Sequence, residues 1–265
     1  MTPAVALTVA GTDSGGAAGI AADLATFAAL GVHGACVVTA VTAQDTTGIR
    51  DVHPVPLASV ESQLDAVLDD LPVAAVKTGM LGSPEVVELL ARRLAGRPLV
   101  VDPVLVATSG AVLGDEHVVA AYRAHLLPVA TVVTPNAHEA GVLLGRATDP
   151  ATAAAALADT GPAVVLTGGG AHGPDDTCTD WLALPGQRPV ARTHRSVPTR
   201  NDHGTGCTFS AALAAHLARG ADLDAAVHHA GLFTVRQLDA SRRWSLGRGR
   251  GPVAHTTHNP AGEPT

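Results

Sequence analysis

The feature that most limits what this chain can fold into is an alternation kept up over most of its length. Short aliphatic runs, each broken by a glycine-rich or polar turn, take turns with longer stretches whose apolar residues recur every three to four positions. Val5 to Ala10 reads as a buried strand broken by GTDSGGAAG (11–19), and a helix from Ile20 to about Leu30 ends at Gly31. Cys36 to Val41 reads as a second strand, followed by a polar loop holding Gln44, Asp45 and Thr46. Leu57 to Leu71 has Val60, Leu64, Val67 and Leu68 on one helical face, and Pro72 stops it. Val73 to Val76 closes into KTGML (77–81), and Ser83-Pro84-Glu85 opens the next helix with a serine cap and a proline in the first turn. Leu99 to Val101 is a strand that delivers Asp102, and Asp115 to Leu127 is helical. Thr131 to Val133 is a strand, followed by TPNAHEAGVLLG as a loop and short helix. Thr152 to Ala158 is helical, and the strand Ala163 to Leu166 ends in TGGG (167–170). Thr177 to Leu184 and Pro189 to His194 should pair as antiparallel strands about Pro185-Gly186, and Leu223 to Leu238 is a helix. Ser241 to Thr265, rich in Gly, Arg, His and Pro, is expected to be partly disordered. Strands alternating with helices predict an α/β fold with a mostly parallel sheet covered on both faces, and ligands gathered beyond the carboxyl ends of its strands. With no linker and no repeat, residues 1–265 are expected to form one domain.

Apolar residues make up 46% of the chain but aromatics only 2%, so the core must be aliphatic and alanine-rich. A net charge of -7 with only 17 Lys and Arg argues against a nucleic-acid surface, though not against small anions held by backbone amides. Cys36, Cys178 and Cys207 lie far apart without metal-like spacing and fit a reducing compartment, so a cytoplasmic protein is expected. No run reaches the ~18 apolar residues of a membrane span, and no membrane partner is expected. GTDSGG lacks the GxGxxG spacing, no acid ends the strand near Val41, and GxxxxGK[ST] is absent; nicotinamide and P-loop chemistry are therefore disfavoured.

The stretch NDHGTGCTFSAALAAHLARG (201–220) turns through Gly204 and Gly206 into an apolar helix with Phe209, Leu213 and Leu217 on one face. Unpartnered amides and the helix dipole at such an end can hold a phosphate or a developing oxyanion, and would favour the thiolate of Cys207. The same residues also fit a plain glycine turn followed by a small buried cysteine. Asp23 shares a helix face with Ile20, Leu24 and Phe27, so its carboxylate needs a partner: a ligand group, or the dipole of the first helical turn. Gln44 offers an acceptor and two donors suited to an amino-bearing heterocycle, or is an ordinary loop side chain. Met80, between Gly79 and Leu81, can pad a flat ring or fill core. Asp102 and Glu139, near strand ends, are candidate Mg2+ carboxylates or surface charges.

Seven ordered motifs, together with GPVAH (251–255), resemble the hydroxymethylpyrimidine and phosphomethylpyrimidine kinases of the ribokinase-like superfamily. They are AGTD (10–13), AGIAADLATFAALG (18–31), VTAVTAQDTTG (38–48), KTGML, VDPVL (101–105), TPNAHEA (134–140) and HGTGCTFSAALAAHLARG (203–220). The resemblance implies a three-layer α/β/α fold. It also implies ATP- and Mg2+-dependent phosphorylation of 4-amino-5-hydroxymethyl-2-methylpyrimidine and then of its monophosphate, and a homodimer. It leaves a requirement for K+ open. Carried over by position, Asp23 and Gln44 resemble polar contacts to the pyrimidine, with Gly11, Val41 and Met80 around its ring. Cys207 resembles the general base, and Gly204, Thr205 and Gly206 with it the anion hole. Asp102, Asn136 and Glu139 resemble groups around Mg2+ and phosphates, and Thr167, Gly168 and Gly169 the nucleotide side. Thr167 and Gly170 depart from the family's KGGH, Ser14 from its proline, Asp45 from the asparagine of AQNT, and Asp202 from the threonine of NTHGTGC. Asp202 places an acid beside the anion hole, where it repels phosphate or faces solvent. Two other functions stay open: a pyridoxal or pyridoxine kinase, and a non-catalytic thiamine-precursor binding protein.

Overall fold

A computed structural model describes residues 2–105, 113–168 and 177–255. Its frame is an eight-stranded sheet in the order β10-β9-β8-β7-β6-β5-β1-β2. The strands are β1 (Val5–Ala10), β2 (His33–Val38), β5 (Val73–Thr78), β6 (Leu99–Val101), β7 (Val132–Val133), β8 (Ala163–Leu166), β9 (Thr177–Ala183) and β10 (Val190–Arg195). The six from β2 to β8 in that order pair in parallel, and β9 is antiparallel to both of its neighbours. Alternate residues of the central strands enter opposite cores, as the pleat requires. Val5, Leu7 and Val9 join Leu64, Leu90 and Leu157 on one face, from α2 (Leu57–Asp70), α3 (Pro84–Leu94) and α6 (Pro150–Ala158). Ala6, Val100 and Val132 meet Phe27 and Phe209 on the other, from α1 (Gly19–Ala29) and α7 (Thr205–Ala218), with α8 (Leu223–Ser241) packed alongside. These are the three expected layers. Ala211, Ala212, Ala214 and Ala215 are all fully buried on α7, so small side chains let this helix approach the sheet and α8 closely where large aromatics are scarce.

The order of strands fixes where a ligand can sit. From β1 the chain moves to β2 on one side, then returns to β5 on the other, so the connections after β1 and β5 diverge and leave a crevice.

Several boundaries differ from expectation. The expected strand Cys36–Val41 is two elements: β2 ends at Val38, and β3 (Ala40–Asp45) pairs with β4 (Gly48–Pro54) as a separate hairpin. Gln44 and Asp45 therefore lie on a strand, not in a loop. The hairpin escaped detection because β4 is largely solvated and carries no apolar alternation. Its turn is held instead by the Thr47 amide and hydroxyl donating to Asp45 Oδ1. The helix expected over Asp115–Leu127 is α4 (Glu116–Ala121) capped by Asp115, then a wider turn and a 3-10 turn to Val129. Residues 242–255 of the segment after Ser241 dock against the hairpin: Arg250 N donates to Thr46 O, and Arg248 N and Gly249 N donate to Thr46 Oγ1. A side chain at Gly249 would run into the Thr46 carbonyl, so the glycines of GRGRG let this segment lie against the hairpin turn. Residues 256–265 fall outside the described residues.

Candidate active site

A cleft of about 560 Å3 opens over the carboxyl ends of the strands at this crossover. It is built from the turns after β1, β5, β6, β7 and β8 and from the start of α7. The turn after β1 and the turn into α7 interlock through glycines. Gly204, at φ +91°, caps α7 and sits so close to Ala17 that a methyl there would lie 1.8 Å from the Ala17 carbonyl oxygen. Gly19, at φ +56°, packs in the same way on the Gly11 carbonyl. The first amides of α7 thus face the cleft with no side-chain cap.

Cys207 lies in the first turn of α7, and the Gly19 amide donates to its sulfur. Its thiol is pushed up to about 12: burial dominates, and the charges of Asp23 and Asp102 add to it, against the pull of Lys77. In the free cleft, burial therefore opposes the thiolate that the helix end favours.

Beneath Cys207 runs a buried charge network anchored by Lys77, whose significance the sequence reading missed. Its side chain is fully buried, with Nζ 2.9 Å from both oxygens of Asp23 and 3.7 Å from Asp102 Oδ2. Burial opposes its charge, but Asp23, Cys207 and Asp102 hold it above the ordinary lysine range. Thr8 donates to Asp23 at 2.6 Å, and Ser210 to Asp102 at 3.0 Å. Asp23 is 0% exposed and is not part of the cleft wall, because its partner is this lysine. In the free cleft its carboxylate therefore meets Lys77 rather than the substrate expected beside it. Val41, half exposed on β3, is also absent from the wall. Gly11, Gln44 and Met80 do line it, as do Thr205 and Gly206.

Gln44 is held by a second group that sequence reasoning passed over. Its Nε2 lies 2.9 Å from His203 Nε2, which is 3.4 Å from Asp13 Oδ2. That ring nitrogen serves one partner at a time: unprotonated it accepts from Gln44, protonated it donates to Asp13. Asp13 accepts from the amides of Gly15, Ala17 and Ala18 and so shapes the turn after β1. Burial raises its carboxyl, but His203 and these amides bring it below the usual range. Both residues stood inside quoted motifs, in AGTD and HGTGC; only the fold shows that they meet.

On the opposite wall, Asn136 and Glu139 form a capping box for α5 (Ala137–Leu144). The Glu139 amide donates to Asn136 Oδ1, and the Asn136 amide donates to Glu139 Oε2, both at 2.9 Å. Each therefore has a structural task as well as a place on the cleft wall. Burial and the neighbouring charge of Asp102 push the Glu139 carboxyl up to about 8. Two buried carboxylates on the cleft wall, one of them raised by the charge of the other, form a donor set suited to a divalent cation, so the pair fits Mg2+. Thr167 also lines this wall, and the amide of Gly168 donates to Asp180. Gly169 lies outside the described residues. Asp202, the acid beside the anion hole, is neutralised by a two-point pairing with Arg250.

Comparison with known proteins accounts for this arrangement. The family model for phosphomethylpyrimidine kinase matches residues 13–254. The chain belongs to the phosphomethylpyrimidine kinase family. It is 48% identical to the hydroxymethylpyrimidine/phosphomethylpyrimidine kinase of Rhizobium meliloti over 95% of this chain and 97% of that one. It is 45% identical to the enzyme of that name from Synechococcus elongatus over 96% and 98%. Among solved structures, Bacillus subtilis pyridoxal kinase in complex with ADP superposes with a TM-score of 0.87, at 35% identity over 96% of this chain and 98% of that one. The ribokinase-like α/β architecture expected from the motifs is thus the observed one.

Proposed function

We infer that this protein is a bifunctional kinase of thiamine biosynthesis. It phosphorylates the hydroxymethyl group of 4-amino-5-hydroxymethyl-2-methylpyrimidine with ATP, then phosphorylates the resulting monophosphate to the diphosphate. The observation that carries this reading is family membership across 13–254 together with relatives of that name at 45–48% identity over nearly the whole chain. The cleft is consistent with it. Gln44 keeps an amide oxygen and one N–H for an aminopyrimidine edge after meeting His203, and Met80 and Gly11 offer apolar surface to the ring.

The start of α7 receives the transferring phosphoryl group on its free amides, with Gly204, Thr205 and Gly206 shaping the hole. Cys207 takes the hydroxyl proton. Burial and the charges of Asp23 and Asp102 disfavour its thiolate in the free cleft, while Lys77 and the Gly19 amide favour it; neutralising Asp102 removes one of the opposing charges. Asp102 and Glu139 would hold Mg2+, which when bound shields phosphate charge. Asn136, Thr167, Gly168 and Gly169 form the nucleotide side. A homodimer is the expected assembly. Val41, half exposed on the β3–β4 hairpin, offers apolar surface to a second copy, and light scattering after size exclusion reads the assembly directly. The three free cysteines fit a cytoplasmic setting, and among the described residues no helix is long and apolar enough to cross a membrane.

Similarity to pyridoxal kinases at a TM-score of 0.87 favours a second reading, phosphorylation of pyridoxal. An ATP-consumption assay on the alcohol, its monophosphate and pyridoxal separates the two. Successive turnover of both pyrimidines supports the proposal; turnover of pyridoxal alone overturns it.

A further inference from the structure

The last two strands bring together three side chains that the phosphoryl-transfer reading does not use. Cys178 and Asp180 are two apart on β9 and therefore project to the same face of the sheet. His194 of β10 is the direct cross-strand partner of Cys178. The thiol, one carboxylate oxygen and an imidazole nitrogen all lie within 4.8 Å of one another, the one such group of metal-ligating side chains among the described residues. Cys178 and Asp180 are buried and His194 is half-buried; all three line the edge of the cleft. We propose that Cys178, Asp180 and His194 form a binding site for a borderline-soft divalent transition metal of the Zn2+ type, separate from the Asp102–Glu139 pair.

The ligand chemistry selects the ion. One sulfur, one imidazole nitrogen and one carboxylate oxygen match Zn2+ and its first-row neighbours, whereas Mg2+ takes a cage of oxygens. The surroundings are those of an oriented site. His194 Nε2 points at Asp180 Oδ2, 3.3 Å away, while its other nitrogen, Nδ1, lies 3.1 Å from the Arg195 carbonyl. An Nδ1–H donated to that carbonyl fixes the ring and leaves Nε2 for the metal. Asp180 presents Oδ2 to the same point while Oδ1 accepts from the Gly168 amide at 2.8 Å. Coordination through Oδ2 therefore leaves that bond intact. Metal entry displaces the Nε2 proton and the Cys178 thiol proton to solvent, and no other bond changes. All three ligands line the main cleft, which provides the entry path. The three ligands are invisible to a spacing search because they sit on two strands joined by a turn, as C-x-D and then a histidine.

The test is Co2+ titration of chelator-treated, desalted enzyme in excess Mg2+, which saturates oxygen-only sites. The expected result is one Co2+ per chain with a near-ultraviolet thiolate-to-cobalt absorption that Zn2+ abolishes. Cys178→Ser should lose that absorption, and His194→Ala should weaken Co2+ binding by about tenfold or more. Should Cys178→Ser fail to fold, Cys36→Ser and Cys207→Ser decide: retention of the band in both places the sulfur at Cys178. Absence of the band in folded wild type, or its loss in Cys207→Ser or Cys36→Ser alone, overturns the site.

Discussion

Gly204→Ala tests whether the anion hole is held open by the contact between the turn before α7 and the turn after β1. The new methyl would lie 1.8 Å from the Ala17 carbonyl oxygen. Reaching even the tightest contact that real Cβ atoms show, 3.0 Å, requires the two turns to part by about 1.2 Å. The residue would also have to hold φ +91°, a left-handed conformation costing a non-glycine residue about 1–2 kcal/mol. The displaced amides belong to the first turn of α7, and a misplacement of about 1 Å at reacting groups lowers turnover on the order of 100-fold. We expect kcat to fall by about that factor, with a melting temperature lowered by roughly 5 °C for about 2 kcal/mol lost. Gly206 is the internal control, since a methyl there meets nothing within 4 Å and its φ is not positive. Gly206→Ala should melt like wild type, even where its methyl intrudes on a ligand. Steady-state kinetics and thermal unfolding of the two variants side by side give the answer. Wild-type kcat and melting in Gly204→Ala, or equal loss of stability in both, would refute the reasoning.

Asp23→Ala should cost about 3–5 kcal/mol of unfolding free energy because it strands buried Lys77. Denaturant unfolding checks this, and a fully stable variant with a raised pyrimidine KM would return Asp23 to the substrate site. Arg250→Ala exposes Asp202 beside the phosphate region. It should raise KM about 2- to 5-fold for the monophosphate but not for the uncharged alcohol, an effect that Asp202→Asn reverses. His255, 2.9 Å from Thr208 Oγ1, is held down to about 4 by burial, below its ordinary 6.5. The unfolded chain thus binds the extra proton, so this residue's contribution is intact above about 6.5 and is lost as pH falls toward 4. His255→Asn should flatten the decline in stability over that window, as read by unfolding at pH 7, 5.5 and 4 (on the order of 2 kcal/mol across it).

The layers of this fold were legible because the central strands are built around short aliphatic runs and the helices repeat an apolar face. What escaped was structure without a buried face: β4 and the GRGRG segment are held by backbone bonds to Thr46 and by the Asp45 turn. The site was legible as motifs but not as partnerships. Lys77, Asp13 and His203 stood in those motifs, yet their roles depend on which strand ends the crossover between β1, β2 and β5 brings together. Asp23 shows the converse. Its helix face correctly demanded a partner, and nothing local could say that the partner was a lysine 54 residues away rather than a ligand. Asp202 was legible as a charge out of place, and its resolution by Arg250 depended on the docking of the segment after α8. Burial at Cys207 is a sum over the turns and helices that enclose it, which a helix-dipole argument from one segment leaves out.

The central claim is that phosphoryl transfer takes place at the start of α7 with Cys207 as proton acceptor. Single-turnover transfer from ATP to the hydroxymethylpyrimidine, measured in wild type and Cys207→Ala alongside calorimetric binding of both substrates, tests it most directly. The account predicts binding within about threefold of wild type and a transfer rate lowered by on the order of 100-fold or more. Unchanged transfer with intact binding would contradict it.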